Sequence, residues 1–597
     1  MDRNMILAIA LSMAVLIGWQ VFVITPQQEA LKAAREAQAA EEAANPQQSD
    51  TAGLDEVLAD TTVTLDKALD AAPGRVKIET PNLVGSVNLL GGRIDDLLLR
   101  QYKEELDGDD SLIRLLSPRE AEHGHYVEQG WTTVRDREGK KLWTLSEGTT
   151  LTPTTPITLS RSVNGLEFEK TISVDEKFMF TVTQTVRNAS GEATEVTPYA
   201  LVIQRDIPEG AGKWMILHEG PVGEVGGHYE KKYKKARTAE FKGDADSGWV
   251  AITNKYWLAA AIPPQGSNFE AEFKNVNQGA DKEENPIFRA SYRLPTELLE
   301  PGTSASVKSY VFGGPKDVDL LKSYQKPEAE GGLGIKDFDR AVDWGNFWFL
   351  TRPIFAVLNY FGDLTGNFGV AILILTLIVK LLLFWFANKG YESMARMKKL
   401  QPELEILKER AGDDKMKLQQ DMMALYKKEK VNPMAGCLPI LIQMPVFYAL
   451  YKTLFVTIEL RHEPFIFWIK DLSAPDPTSV FNLFGLLPYD PTALPLIGAF
   501  LGIGVLPLMM GAAMWFQTKL NPPPTDPVQA QVFALMPIMF TFLFAGFASG
   551  LVLYWFWNTF LGILQQWYIM KRNGVDVDWG DRLPFLKGGK PAAEAEK

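Results

Sequence analysis

Lys380 is the residue whose type and position point most directly to chemistry. It lies within residues 370–386, an apolar run long enough to cross a bilayer as a helix. A cation in hydrocarbon costs roughly 2.5–3.5 kcal/mol on insertion scales, so an unpaired one must reach water, a lipid headgroup or a visiting anionic group. We therefore predict that Lys380 is functional.

Two further polar residues extend this site along the same predicted helix. Thr376 precedes Lys380 by one helical turn and shares its face, and Asn367 lies near the opposite end. The alternative is that Lys380 only extends its four-carbon stem to the cytoplasmic surface. Asn388, at the expected exit, is roughly 12 Å further along, and the stem spans about half of that distance. A polar stripe entering the membrane is therefore favoured.

Other apolar runs must surround this helix. They cover about residues 5–24, 437–457, 494–516, 532–547 and 551–570, and none contains Asp or Glu. The first run is longer than the 7–15 apolar residues of a usual cleaved signal, so it predicts a membrane anchor. Because residues 388–436 are rich in Lys and Arg, they predict a cytoplasmic segment, and six spans then place both termini in the cytoplasm.

The segment between the first two apolar runs is polar. Residues 26–55, rich in Ala, Gln and Glu, predict a flexible linker. Short alternating runs within residues 56–340 predict the antiparallel strands of a large two-sheet β-sandwich. The clearest runs are residues 61–65, 142–145, 178–186 and 305–312. Residues 344–361, rich in Trp, Phe and Tyr, predict an amphipathic helix on the outer membrane surface.

Composition excludes several function classes. The net charge of −12 and mean hydropathy of −0.07 average a polar and an apolar part, and they do not indicate a nucleic-acid-binding protein. Cys437 is the single cysteine, so an internal disulfide is excluded. The histidines are expected to be solvated and show no zinc-ligand spacing, so neither a metal nor a catalytic site is predicted. Those in the region of the alternating runs are His123, His125, His218 and His228.

Two alternatives remain open at this point. An ion-coupled transporter would also place an ionisable residue in a helix, but it usually needs acidic or histidine relays at membrane depth, and the predicted spans contain none. The other alternative is an enzyme that acts on periplasmic glycans through the β-sandwich.

Residues 388–436 also predict an antiparallel helical hairpin. Gly412 ends one helix, and Asp413 or Asp414 caps the next. Apolar residues recur at helical spacing on both arms, and such Met-rich surfaces suit varied apolar partners. The alternative is a stiff loop with solvated charges. The apolar stripe consists of Met394, Met397, Leu404, Leu407, Ala411, Leu418, Met422 and Leu425.

Several longer motifs follow one another along the chain. They are ERAGDDK at 409–415, MMALYK at 422–427, KVNPMAGCLPILIQMP at 430–445, LSAPDP at 472–477, TDP at 525–527 and SGLVLY at 549–554. With these motifs, and with its opening anchor, the chain resembles the YidC/Oxa/Alb family of membrane protein insertases, specifically the Gram-negative YidC type. The resemblance covers nearly the whole chain.

This resemblance implies a polytopic α-helical membrane protein with six transmembrane helices and a large periplasmic all-β sandwich. The second to sixth helices would form a five-helix core around a hydrophilic groove, open to the cytoplasm and lipid and closed to the periplasm. The sandwich is similar to sugar-mutarotase domains, although fold does not imply activity.

The resemblance also implies roles for individual residues. Lys380 matches the groove's basic position, which is usually Arg in the family, and Thr376 matches a groove-lining threonine. Trp555 follows Tyr554 where the family often has a second Tyr. The candidate client-binding residues are Lys380, Thr376, Gln443, Tyr554, Trp555, Asn558 and Gln565.

The implied activity is the insertion and folding of inner-membrane proteins, with no reaction catalysed and no cofactor or metal. Expected partners are nascent inner-membrane proteins, the Sec translocon (SecYEG and SecDF), the ribosome, the signal-recognition pathway and membrane lipids, but not DNA.

The predicted segments are 1–25 (anchor), 26–55 (linker), 56–340 (sandwich), 341–365 (interfacial helix), 366–387, 437–457, 494–516, 532–547 and 551–570 (transmembrane helices two to six), 388–436 (hairpin), 458–493 (periplasmic loop), 517–531 (cytoplasmic loop) and 571–597 (cytoplasmic tail).

Overall fold

The computed structural model describes residues 62–106, 111–136, 141–208, 210–211, 217–277, 285–412, 414–429, 431, 438–485, 487, 501–521 and 527–575. The described residues of Ser393–Gly436 form one compact unit, and the other described residues form a second. The anchor predicted over residues 1–25 and the linker predicted over residues 26–55 lie outside the described part of the chain.

The polar part of the chain folds into strands, as its alternating sequence predicted. They are Arg75–Glu79 (β1), Leu83–Asn88 (β2), Arg93–Lys103 (β3), Leu112–Leu116 (β4), His125–Thr132 (β5), Thr144–Glu147 (β6), Thr150–Leu151 (β7), Ile157–Val163 (β8), Leu166–Val174 (β9), Met179–Asn188 (β10), Thr194–Arg205 (β11), Gly220–Val225 (β12), His228–Glu230 (β13), Phe241–Ala245 (β14), Gly248–Thr253 (β15), Trp257–Ile262 (β16), Phe269–Asn275 (β17), Ile287–Arg293 (β18), Glu297–Leu299 (β19) and Ser304–Pro315 (β20).

Two sheets form the predicted sandwich. One runs in the order β14-β17-β18-β11-β5-β3-β2-β1-β7, with β19 on β11 and β4 on β3, and the other runs β13-β12-β15-β16-β20-β10-β9-β8-β6. Their inward side chains meet in one large core. Strand β9 shows why, because every second residue from Leu166 to Val174 is buried and those between are exposed or half-buried.

Two sequence predictions within this region need correction. The described part of the run 61–65, residues 62–65, is not a strand, because Leu65 begins a helix and Val63 makes only an isolated bridge to Ala121. The histidines are not all solvated, since His125 and His218 are each 4% exposed. Burial lowers the pKa of His125 to about 4.

The chain also contains helices before, within and after the sandwich. They are Leu65–Asp70 (α1), Tyr233–Ala236 (α2), Val318–Gln325 (α3), Trp348–Thr365 (α4), Phe368–Leu382 (α5), Phe384–Lys399 (α6), Gln401–Ala411 (α7), Lys415–Lys428 (α8), Leu438–Val456 (α9), Val505–Leu520 (α10), Pro527–Ala545 (α11) and Ser549–Arg572 (α12).

Helix α4 has the amphipathic character predicted for the interfacial segment. Ile354, Phe355 and Leu358 are buried on one face, whereas Trp348 and Tyr360 are exposed. The helix begins at Trp348, a few residues after the predicted start of the segment at residue 341.

Helices α5, α9, α10, α11 and α12 form the helical bundle and lie in or beside the predicted spans. None of the described helices, taken singly, is both long and apolar enough to pass as a membrane span. The pair α5 and α6 passes together, with an angle of 69° between its members, and the apolar stretch Ala530–Ala545 of α11 is shorter. The number of membrane spans, six, therefore remains a prediction from the sequence.

The break between α5 and α6 differs from the single helix predicted over residues 366–387. Helix α5 ends at Leu382, and the next residue, Leu383, donates its N–H to the carbonyls of Val379 and Leu381. Neither Pro nor Gly, the usual local causes of a kink, occurs in the flanking sequence LLLFWF. The bend therefore has no local sequence signal.

The smaller unit contains the predicted hairpin, built from the end of α6 with α7 and α8. Asp414 caps α8 by accepting the N–H of Lys417 at 3.0 Å. Leu400, Tyr426 and Val431 form its apolar centre, with Met397, Leu404 and Met422 packed against them. The first arm is divided at Leu400, where α6 gives way to α7.

Most of the predicted apolar stripe faces inward in this unit. Met394 and Leu425 are 7% and 9% exposed, and Leu407 is half-buried. The methionines that present large exposed surfaces are instead Met416, at 68%, and Met423, at 56%. The stripe therefore stabilises the hairpin, and a different pair of methionines is accessible.

The end of α9 contacts the sandwich through a short turn. Glu459 Oε1 accepts the N–H of Val318 at 3.2 Å, at the start of α3. Glu459 Oε2 is shielded from solvent and has no hydrogen-bond partner among the described residues. Arg461 donates to the carbonyls of Lys103 at 2.6 Å and Glu104 at 3.2 Å. This contact defines the sandwich end of the bundle.

Because the Glu459 carboxyl is buried, we predict that the contact between the end of α9 and the sandwich weakens at alkaline pH. Burial and the nearby carboxylates of Asp317 and Asp319 raise the pKa of the Glu459 carboxyl to about 7, while Tyr102 is the other titratable group facing it. Because the folded chain favours the protonated form, this contribution to stability is complete below pH 4.5 and is lost as the pH rises through about 7. We expect the Tm to be about 1 °C lower at pH 8 than at pH 6 on this account.

The measurement is thermal unfolding of the full chain in detergent at both pH values. Glu459→Gln should lose that part of the pH dependence, and Glu297→Gln, which alters an exposed carboxylate, should keep it. The same pH dependence in Glu459→Gln as in the parent would contradict the assignment.

Candidate functional site

Lys380 occupies the last turn of α5, three residues before the break at Leu383. The final carbonyl groups of a helix carry partial negative charge, which favours a cation at this position. Lys380 is half-buried, and no carboxylate of the described chain lies within ion-pairing distance of it. Its compensation must therefore come from helix-end and neutral polar groups.

Three polar side-chain ends converge beside Gly562 of α12. A methyl group at Gly562 would lie 3.3 Å from Lys380 Nζ, 3.5 Å from Tyr391 Oη and 3.6 Å from Gln517 Nε2. A larger side chain at this position would therefore displace the ammonium group. We call Lys380, Tyr391, Gln517 and Gly562 the Lys380 cluster.

A polar stripe along α12 passes through the Lys380 cluster. Tyr554, Asn558, Gly562 and Gln566 follow one another at four-residue spacing, so they share one face of the helix. Asn558 is half-buried, one turn from Gly562. Tyr554 and Gln566, at the two ends of the stripe, are buried, so Asn558 is its partly accessible polar member.

The far end of this stripe is held by amide hydrogen bonds. Gln565 Nε2 donates to Asn388 Oδ1 at 3.1 Å, and Gln566 Nε2 donates to Asn521 Oδ1 at 3.0 Å. Gln565, a predicted groove residue, thus joins α12 to α6. Asn388, expected at the exit of the span, lies instead beyond the bend.

Gln443, Tyr554 and Trp555 lie together at the other end of the stripe. Gln443 Nε2 is 3.5 Å from Tyr554 Oη, at the long limit of a hydrogen bond. The Trp555 ring packs edge-on against Phe447 with centroids 4.6 Å apart and lies 5.2 Å from Phe544. Tyr554 is 1% exposed, whereas Trp555 is half-buried. Of these two aromatic residues, Trp555 is the more accessible.

Thr376 does not present a free polar surface. The residue is fully buried, and its hydroxyl donates to the carbonyl of Ile372 at 2.7 Å within α5. Because Thr commonly makes this bond when it is buried in a helix, its position on the same face as Lys380 did not imply contact with water.

Short hydrogen bonds close the bundle at its sandwich end. Asp476 Oδ2 accepts the N–H of Leu506 at 2.7 Å, at the start of α10. The N–H groups of Ser549 and Gly550, at the start of α12, donate to the carbonyls of Ala474 and Leu472 at 2.7 and 2.9 Å. Helix starts whose N–H groups are satisfied in this way need no water. We call residues 472–478 the end seal.

The Lys380 cluster lies well away from the end seal. Asn367, at the start of α5, donates to the carbonyl of Phe465 at 3.0 Å on the sealed side. Lys380 is thirteen residues further along α5, which corresponds to about 20 Å at the helical rise. The polar site and the closed end are thus separated by most of the length of α5.

Sequence reasoning missed several members of this arrangement. Tyr391 and Gln517 lie on helices that no motif connects with Lys380, and Gly562 appeared only as a residue within an apolar run. Gly562 had a usable signal, because it falls on the four-residue spacing that joins Tyr554 to Gln566. Lys452, within the predicted third span, was also missed.

Among the described residues, no group of three or more His, Cys, Asp or Glu side chains could hold a metal ion. His228 lies 3.6 Å from Glu224 and 3.7 Å from Glu230. These contacts form an ion-pair network within the sandwich.

Comparison with known proteins gives matches over both parts of the chain. A family model described as "60Kd inner membrane protein" matches residues 360–575, and one described as "YidC periplasmic domain" matches residues 75–357.

Two relatives, each named membrane protein insertase YidC, match nearly the full length. The protein of Nitrobacter hamburgensis is 45% identical over 594 residues, which cover 97% of this chain and 96% of that protein. The protein of Beijerinckia indica is 46% identical over 608 residues, which cover 98% of each. A crystal structure of an active YidC insertase is 20% identical and covers 83% of this chain and 92% of its own, with a TM-score of 0.37. The chain therefore belongs to the YidC family of membrane protein insertases, proteins of the inner membrane, as its motifs predicted.

Proposed function

We propose that this insertase receives the polar segments of client membrane proteins at the Lys380 cluster. The observation that carries the proposal is an ammonium group without a carboxylate partner in the described chain, placed with Tyr391 and Gln517 against Gly562. Such a site is compensated only by a helix end and neutral side chains, so an acidic or polar client segment can pair with its charge.

The task of the site is solvation, and no bond is made or broken. A client's polar tail is held back by the cost of entering hydrocarbon. A polar surface that reaches partway into the bundle shortens the distance crossed without hydration. Gln443, Asn558 and Gln565 extend this surface along the path, and Trp555 offers an aromatic contact to apolar client residues.

The driving force comes from the client's own apolar segment. About twenty apolar residues that move from water into lipid supply the free energy of insertion. No nucleotide is required, and the chain contains no Walker-type phosphate-binding motif.

The proposed topology has six spans, with both termini in the cytoplasm and the sandwich in the periplasm. The Lys- and Arg-rich segment 388–436 supports this orientation because basic loops stay on the cytoplasmic side. In this orientation the end seal faces the periplasm, and the groove opens to the cytoplasm and lipid.

The proposed partners follow from this arrangement. Nascent inner-membrane proteins are the clients, delivered by the ribosome and the signal-recognition pathway to the basic hairpin. The Sec translocon, comprising SecYEG and SecDF, would dock on the sandwich or the bundle for larger clients. Met416 and Met423, the exposed methionines of the hairpin, offer adaptable apolar contacts.

Substitution of Lys380 tests the electrostatic part of the proposal. Lys380→Arg should retain insertion, because the charge is kept. Lys380→Glu should lower the insertion of clients with acidic translocated tails about tenfold, which corresponds to ~1.4 kcal/mol, and neutral tails should be affected less. Protease protection of the tails in proteoliposomes measures this difference, and equal efficiency for Lys380→Glu and the parent on acidic tails would contradict it.

Shortening the hairpin tests its role in receiving clients. Deletion of residues 407–410 from α7 and 416–419 from α8 removes about one turn from each arm and keeps the apolar centre at Leu400 and Tyr426. We expect insertion in cells to fall severalfold while the bundle stays folded. A control that replaces the exposed residues Glu409 and Gln419 by Ser without shortening should have a smaller effect, and parental insertion by the shortened chain would reject this role.

Removal of the sandwich tests whether function resides in the bundle. A chain that joins the anchor to about residue 341 through a short polar linker should still insert small single-span clients. Removal of α4 as well should abolish insertion, because its aromatic face anchors the bundle at the membrane interface. Insertion by matched amounts of the two truncations is the measurement. If loss of the sandwich alone stopped insertion in a folded bundle, the groove would not be the sufficient site.

A further inference from the structure

A second lysine of the bundle is compensated in a different way from Lys380. Lys452 in α9 is 1% exposed, and its ammonium group forms an ion pair with Asp343. Asp343 lies in the segment between the sandwich and α4, so this pair joins a bundle helix to the connection that enters the bundle.

Asp343 is itself held in place by backbone groups. Its Oδ2 accepts the N–H of His218 at 2.8 Å, and its Oδ1 accepts the N–H of Gly345 at 3.0 Å. Gly345 has a φ of +68°, and a methyl group there would lie 3.2 Å from Lys452 Cε. A left-handed glycine therefore leaves room for the lysine stem to reach the carboxylate.

Threonine hydroxyl groups that face backbone carbonyls continue this connection into α4. Thr453 Oγ1 donates to the carbonyl of Ala449 at 2.9 Å within α9 and lies 3.4 Å from the carbonyl of Thr351, and Thr351 Oγ1 donates to the carbonyl of Trp344 at 2.9 Å. Both threonines are fully buried. The outer half of α9 is thus fixed to residues 343–351 through side chains that have no access to solvent.

The inner half of α9 contacts the proposed client path. Phe447 precedes Lys452 by five residues, about 7.5 Å along the helix, and packs on Trp555. Gln443, one turn earlier, reaches Tyr554. A rotation or axial shift of α9 at Lys452 would therefore move Phe447 and Gln443 relative to α12.

We propose that Lys452 and Asp343 are positioning residues that set the rotation and depth of α9, so that Phe447 and Gln443 meet α12 in the register needed for client contact. This inference rests on the proposed function of the Lys380 cluster. A buried ion pair often adds little stability compared with apolar residues of similar volume, whereas it can specify one arrangement among several. The pair therefore acts on geometry rather than on stability.

An apolar replacement separates these two effects. In the double variant Asp343→Leu/Lys452→Met, neither charge is left buried alone, but the N–H groups of His218 and Gly345 lose their acceptor, so the chain should fold with a Tm moderately below that of the parent. The α9 register should nevertheless be less uniquely fixed. Lys452→Arg keeps the charge and serves as the conservative variant. Arg187→Met, which removes the exposed pair with Glu167 in the sandwich, is the matched control.

Spin labels report the register without a client. In a Cys437→Ser background, cysteines replace Met444 of α9 and Leu564 of α12, both of which are exposed. Pulsed electron resonance on the full chain in nanodiscs should give one narrow distance for the parent, Lys452→Arg and Arg187→Met. The double variant should give a shifted or broadened distance, and its insertion of an acidic-tailed client should fall about tenfold, because small misplacements of positioning elements have effects of this size.

Each outcome decides between the two proposals. An unchanged distance in the double variant overturns the positioning role, whatever happens to insertion. A changed distance with reduced insertion supports it. A changed distance with parental insertion supports the positioning of α9 by the pair but overturns the proposed use of Phe447 and Gln443 in client contact.

Discussion

The arrangement of the bundle depends on the free-energy cost of placing an ammonium group among apolar helices. The bundle contains two such groups and compensates them differently. Lys452 forms an ion pair with the carboxylate of Asp343 and so links α9 to the segment before α4. Lys380 meets the end of α5 and the neutral side chains of Tyr391 and Gln517, so its charge remains available. Several features follow from these two solutions: the glycines at 345 and 562 make room for the lysine side chains, and the polar stripe of α12 runs past Lys380.

The two ends of the bundle, each with one of these lysines, also differ in the kind of hydrogen bonds that hold them. Near Lys452, the end seal, the α9 turn and α4 are tied to one another and to the sandwich by hydrogen bonds to backbone groups. Near Lys380, the contacts are between side chains, such as Gln565 with Asn388. Side-chain amides exchange partners at little cost, because water or a visiting chain can replace either one. The proposed function uses this difference.

Features with a local cause could be predicted from the sequence. The alternation in β9, the cap at Asp414 and the apolar runs each depend on residues a few positions apart. The bend at Leu383, the burial of Thr376 and the pairing of Lys452 with Asp343 depend on residues up to 109 positions apart, and no local pattern encodes them. Within the candidate site, the lysine itself was predictable from its cost in hydrocarbon. The tyrosine, glutamine and glycine around it required the packing of four helices, α5, α6, α10 and α12.

The end seal has a consequence for bioenergetics. A polar site inside a membrane bundle can conduct ions if water connects it to both sides of the membrane. Here the helix starts at Leu506, Ser549 and Gly550 are satisfied by residues 472–476, so no chain of water is needed to solvate them. In the proposed topology these helix starts offer no free N–H group to a file of water, so a polar site at Lys380 is compatible with a membrane that holds a proton gradient.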